Sequence, residues 1–325
     1  MNGSAGIWRQ IDGKERRKVE DSMSVKVYTN WMLQMKEKLY ERYIKYEPLA
    51  KYLRKMLMAF LTFQCIAIAY PYKGIFCNVF VIFGLAVLAG FLFDELIVIL
   101  SLLFACAQLY FLTPILAGIV FASCILIYMM MLRYSPKTIW VAIMLPVALA
   151  LHIPLAVVIP IGLFFSPMAS LSVAGATVIY YVLDVVRTCA LTYTDKTDIM
   201  ELGDSLVKQI VENPQMYVSV VVLCGLSLFV YFIRFHQMAL SFELSIGMAT
   251  VLAIILFLSG NVFCRCNFSV QACVLGSFSG GLIALIIQMY CRILDYGAVE
   301  QLRFEDEDYY YYVKAVPKLK HNADK

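Results

Sequence analysis

From residue 56 onward the chain is a succession of apolar runs, each closed by a proline or a few charges. Runs of this length and purity predict membrane-crossing helices, because only a helix satisfies every backbone polar group inside hydrocarbon. Eight are expected, at 56–70, 75–93, 96–112, 115–132, 168–186, 215–233, 242–263 and 268–291. They are punctuated by Pro71, by Asp94 and Glu95, by Pro114, by Arg133 with Lys137, and by Cys264-Arg265-Cys266-Asn267.

One stretch breaks this rhythm. Residues 138–186 contain Pro146, Pro154, Pro160 and Pro167, a single histidine, and no charge before Asp184. Proline removes a helical donor and clashes with the preceding turn, so the helices here stop and restart. The pieces 138–152 and 155–166 are shorter than the roughly 17–25 residues a span needs. They predict either a helical hairpin that enters the membrane and turns near His152-Ile153-Pro154, or two short, tilted spans. The fold class is therefore an all-α polytopic membrane protein, with about eight full spans plus a Pro-broken re-entrant hairpin, or ten spans.

The flanks follow other patterns. Residues 1–28 show no sustained period, whereas at 29–46 Met32, Met35, Leu39, Tyr43 and Tyr46 recur at helical spacing between Lys36, Lys38, Arg42 and Lys45. That is an amphipathic basic helix, suited to an anionic membrane surface, a cytoplasmic partner, or simple packing under the membrane region. The insert 187–214 carries Ile199, Leu202, Leu206, Ile210 and Val211 at helical spacing, predicting a short amphipathic helix at the outer interface. The tail 292–325 holds an acidic cluster followed by Tyr309–Tyr312, Val313 and Val316, a strand-like run able to pair with another chain's sheet edge, or to remain a disordered tail. The expected divisions are 1–55, 56–291 and 292–325.

Composition sharpens the class. Hydrophobic residues make up 62% of the chain and charged residues 15%, against about 45–50% and 25% in soluble domains. Thirteen of the 27 Lys and Arg precede residue 56, and an N-in, C-in topology places 22 of them on the cytoplasmic side. No cleavable signal peptide is expected, since the first apolar run begins after some fifty polar residues. The basic N-terminal block has no zinc spacing or RNP-type aromatic pattern, so nucleic acid is not an expected partner. The lipid bilayer is the expected partner, with 29–46 and 304–318 as candidate surfaces for a cytoplasmic protein.

Candidate chemistry is sparse. His152 is the leading residue, because an ionisable group inside an apolar, proline-broken segment marks a substrate or proton path. If the segment crosses fully, it is an ordinary surface histidine. Pro154 and Pro160 join it as helix breaks that free backbone groups. Asp94 and Glu95 form either a plain cytoplasmic turn or a cation or proton site, and Asn261 either bonds between helices or lines a path. Asp184 and Arg187, one turn apart, read as an interfacial pair. Gly276 and Gly280 form a GxxxG face for close helix packing. The ten cysteines are mostly single within apolar runs, and Cys264 and Cys266 lack the further ligands a metal site needs. With three histidines in total and no P-loop, HExxH or GxSxG motif, neither a metal nor a cofactor is expected, and a catalytic role is not favoured.

The tail Arg303-Phe304-Glu305-Asp306-Glu307-Asp308 with its four tyrosines, and the stretch from His152-Ile153-Pro154 to Phe165-Ser166-Pro167, resemble polytopic membrane proteins of anaerobic Gram-positive bacteria that have no assigned activity. The resemblance implies a bacterial plasma membrane and carries over no catalytic residue. The expected function is a permease-like or transport component with a site near 138–167. The alternative is a non-transporting scaffold subunit of an envelope or export complex.

Overall fold

Apolar runs interrupted by caps and prolines give a bundle of helices of unequal length. The computed structural model describes residues 46–69, 78–110, 114–192, 199–235, 241–266, 268–291, 300–305 and 310–315. All but Tyr46 of the basic helix expected at 29–46, and the turn at 71–74, lie outside the described residues. Helices α1 (Glu47–Ala69), α2 (Val79–Gly90), α3 (Asp94–Tyr110) and α4 (Pro114–Tyr134) come first. After a 3₁₀ turn at Pro136–Thr138 follow α5 (Val141–Ala150), α6 (Leu155–Phe164) and α7 (Ala169–Thr192). The chain continues through α8 (Ile199–Val211), α9 (Pro214–Phe235), α10 (Ser241–Phe263) and α11 (Val270–Cys291). Within Lys51–Leu319 the described residues form one compact unit.

Among the described residues six helices, α1, α4, α7, α9, α10 and α11, are long and apolar enough to cross a membrane. They account for six of the eight or more spans expected. The run at 75–93 yields only the 12 residues of α2, because Asn78 caps it by accepting from the Phe80 amide at 3.1 Å and the helix closes at Phe91. At 1.5 Å per residue that is about 18 Å, well short of hydrocarbon about 30 Å thick. The 17-residue α3 opens with Asp94 and Glu95 in its first turn, where the helix dipole favours carboxylates.

The proline-broken stretch forms a closed helical hairpin. Helices α5 and α6 have ten residues each, about 15 Å. Trp140, before α5, and Phe165, after α6, pack with ring centroids 6.3 Å apart and planes tilted by 53°, so the hairpin's two ends meet. It lies at the centre of the bundle. In α6, Leu155 and every residue from Val158 to Leu163 are buried, with α7, α9, α10 and α11 around them.

Three contacts fix its register. At the open end, Thr138 and Ser172 share a hydroxyl hydrogen bond of 2.8 Å. Two residues before the end of α6, Gly162 lies so close to α9 that a β-carbon there would meet the Ser227 carbonyl at 2.5 Å. At the closed end, a β-carbon on Gly276 would overlap the carbonyl oxygen of His152, and one on Gly280 would meet the Ala156 nitrogen at 3.0 Å. The GxxxG face of α11 thus seats the hairpin apex, which is the close backbone approach that small residues permit.

The amphipathic helix expected in the insert is α8. It docks on the end of α7 through buried Leu206 and a Cys189 thiol donating to Gln209 Oε1 at 3.3 Å. The tail's tyrosine run is a strand, β2 (Tyr310–Ala315), and it pairs antiparallel with β1 (Glu300–Glu305) of the same chain, so its described partner is not another molecule.

Candidate functional site

The apex of the hairpin is built by a helix ending. The amide of His152 donates to Leu149 O at 3.0 Å and that of Ile153 to Ala148 O at 2.8 Å. This bond pair defines a Schellman cap, whose C′ residue takes the left-handed conformation and is usually glycine. Here the C′ residue is His152, at φ 60°. An L-residue in that region costs roughly 1–2 kcal/mol where glycine costs nothing. Pro154 then starts α6, as a proline just past a cap does.

Two cavities meet at this apex. The larger, about 510 Å³, runs beside α5 between α1, α3, α4 and α7. The smaller, about 250 Å³, lies on the other side, towards α9, α10 and α11. His152, Tyr180 and Asp184 line both. Arg187 lines the larger, and its guanidinium stands 4.0 Å from the Asp184 carboxylate, with both side chains nearly half exposed. In the smaller cavity Tyr181 and Ser219 share a hydroxyl hydrogen bond of 2.6 Å, beside Pro154 and Ser277.

The apex height follows from α7. Ser172 is level with the hairpin's open end, and Tyr180 to Asp184 are level with its tip. Eight to twelve helical residues separate them, about 12–18 Å. The apolar length of α7, Ala169–Cys189, has 21 residues, about 31 Å. The tip therefore reaches roughly half to two-thirds of the way along α7's apolar length.

The structure brings His152, Pro154, Asp184 and Arg187 together and separates the other candidates. Pro160 is buried inside α6 and lines neither cavity. Pro146, inside α5, lines the larger cavity with Ala142, whose carbonyl loses its i+4 donor to the proline. Asp94 sits beyond the open end in a clamp with Lys55 at 3.2 Å and Arg54 at 4.0 Å. Lys55 also donates to Leu92 O, so this cluster ties α1 to the start of α3. The Glu95 carbonyl accepts from Tyr128, and its side chain is exposed. Asn261 spends both ends of its amide on one residue: Nδ2 donates to Phe268 O at 2.8 Å, and Oδ1 accepts from Phe268 N at 3.0 Å. It clips the α10–α11 connection.

In that connection Cys264 is exposed and Cys266 buried, both as free thiols. Burial, then the neighbouring Cys264, pushes the Cys266 thiol above the ordinary range. Among the described residues no three His, Cys, Asp or Glu side chains converge as a metal site. Tyr180, Tyr181 and Ser219 were not singled out by sequence. Their spacing in apolar helices is that of any core aromatic or small residue, and only the fold brings them to the apex. Compared with protein families, curated proteins and solved structures, the chain matches none.

Proposed function

We propose that this multi-pass protein is a membrane transport component whose ligand path runs past the hairpin apex. The observation that carries this reading is the shared wall: His152, Tyr180 and Asp184 alone line both cavities, at the tip of a buried, interrupted hairpin. Interrupted backbone at membrane depth is tolerated where it is buried in protein or lines a cavity, and transporters place their sites there. A histidine kept in a left-handed position that favours glycine adds to this, because strain held at one residue is characteristic of working sites.

In this reading the hairpin re-enters from the cytoplasmic side and returns to it. Arg54, Lys55, Arg133, Lys137 and Arg234 belong to the helix ends on its open side, and Arg187, Lys208 and Arg265 to the opposite side, an asymmetry that favours the open side as cytoplasmic. The resemblance of the tail and of the 152–167 stretch to bacterial polytopic proteins supports a bacterial plasma membrane as the location in this reading.

The test uses proteoliposomes loaded with a small-molecule extract of bacterial cells, with the released compounds identified by mass spectrometry. Wild-type protein is expected to release a defined subset, and His152→Gly, which suits the cap geometry better than histidine, is expected to release less of it while remaining folded. Release indistinguishable from protein-free vesicles overturns the reading.

A further inference from the structure

We infer that the larger cavity takes a single-chain amphiphile with a zwitterionic head, its apolar chain alongside α5 and its head at Asp184 and Arg187. This names the cargo class of the transport reading and rests on it for the cavity's use. The volume of about 510 Å³ falls within the range of ligand sites. The long axis follows from its lining: along α5 it extends from Ala142 to Leu151, and along α7 from Ile179 to Arg187. Nine residues of α5 make that about 14 Å.

Polarity is distributed unevenly along this axis. Most of the wall is aliphatic, with Ile66, Val98, Leu102, Val147, Ile179 and Leu183 among its members. The hydroxyls there are already committed to helix carbonyls: Thr62 donates to Met58 O at 2.8 Å, Ser101 to Val98 O at 2.7 Å and Tyr128 to Glu95 O at 3.2 Å. An occupant finds little to bond along this stretch, so the part lodged there is hydrocarbon. All ionisable acid, base and imidazole groups of the lining, Asp184, Arg187 and His152, stand at the apex end.

The head's charge follows from that end. Asp184 and Arg187 face each other at 4.0 Å, the outer limit of an ion pair, and each is nearly half exposed. A purely anionic head would draw Arg187 and leave the carboxylate beside a like charge, and a purely cationic head would do the converse. A head bearing both signs gives each side chain an opposite partner, and His152 at the same end adds a hydrogen-bonding group.

Cys65 lines the cavity and Cys264 lies exposed in the α10–α11 connection, so the chain carries its own probe and control. The full chain in nanodiscs is treated with N-ethylmaleimide at pH 8, and labelling of each cysteine is followed by mass spectrometry. Three amphiphiles of equal chain length are added in turn: a lysophosphatidylcholine, an alkyl phosphate and an alkyltrimethylammonium. The lysolipid is expected to slow Cys65 labelling about fivefold or more, the other two less, and none to change Cys264. Asp184→Asn with Arg187→Gln is expected to make the three probes equivalent. Ala150→Trp, which fills the cavity from an exposed position of α5, is expected to abolish protection by all three. Equal protection by the three heads in wild-type protein overturns the head assignment, and no protection by any overturns the amphiphile site. Protection without release in the vesicle assay leaves this inference standing and removes transport, whereas release without protection does the reverse.

Discussion

Replacing Gly276 by alanine probes the contact that seats the hairpin apex. The added methyl would overlap the His152 carbonyl oxygen, far inside the 3.0 Å that real β-carbons keep from such atoms. That oxygen belongs to a capped backbone turn, held by the two bonds to Leu149 O and Ala148 O, and no rotamer change can move it aside. Either the apex or α11 must retreat by roughly 1 Å or more, and overpacking of this kind costs about 1–3 kcal/mol. Gly280→Ala meets Ala156 N and Leu155 Cβ at 3.0 Å, a contact that slight movement relieves, and is expected to cost less. Gly225 and Gly247 have nothing within 4 Å of an added β-carbon, so their alanine variants are expected to gain up to about 1 kcal/mol of helix propensity. A thiol-reactive dye that fluoresces on reaching buried cysteines reports unfolding in detergent on heating. The expected order of stability is Gly225→Ala and Gly247→Ala at or above wild type, then Gly280→Ala, with Gly276→Ala lowest. If Gly276→Ala unfolds within about 0.5 kcal/mol of wild type, the apex does not rest on α11 as described.

Further outcomes follow from the same geometry. His152→Gly removes a left-handed L-residue and is expected to hold or raise stability by about 1 kcal/mol in the same dye assay, while reducing release from vesicles. Asn261→Ala deletes both hydrogen bonds to Phe268, and a loss of about 1–3 kcal/mol is expected, with Asn261→Asp losing only the Nδ2 donation. Lys55→Met is expected to cost at most about 1 kcal/mol, because Asp94 is 44% exposed and the pair is screened; salt titration of the dye transition checks this. Burial raises the Cys266 thiol, so its thiolate is scarce at pH 7–8 and its maleimide labelling should keep rising with pH beyond the ordinary thiol range, more slowly than that of exposed Cys264. Deleting residues 304–325 is expected to leave vesicle release unchanged if the chain transports alone, whereas loss of a co-purifying subunit favours the scaffold reading.

The features legible in the sequence are those with local causes. Four prolines and two short apolar pieces located the interrupted segment, and α5 and α6 fall within the pieces at 138–152 and 155–166. Apolar periodicity in the insert anticipated α8, and GxxxG spacing marked α11 as a packing face. What the face packs against was not legible, since Gly276 and His152 meet only through the tertiary fold. The same holds for Tyr180, Tyr181 and Ser219, which look like ordinary members of apolar helices until the apex arrives beside them. Asn261 has two readings in the sequence, a bond between helices or a path lining, and the fold shows its amide bonded to Phe268 across the α10–α11 connection. The strand at the tail was visible in its tyrosines, but its antiparallel partner Glu300–Glu305 carries no comparable β-branched pattern and was not anticipated.

The central claim is that the apex stops part-way through the membrane, and depth is its most direct measure. Leu151 lines the larger cavity from an exposed position at the tip, and Arg187 lies three to seven residues of α7 beyond the level of the tip, about 5–10 Å, so each can be replaced by a cysteine carrying a fluorophore, in a background lacking the other reactive thiols. Quenching is then compared across lipids brominated at successive depths of the acyl chain. The label at 151 should quench most strongly with bromines well inside the chains, and the label at 187 with those nearest the head groups. Equal, head-group-level quenching at both positions would mean that the segment crosses the membrane, and the hairpin account would fall.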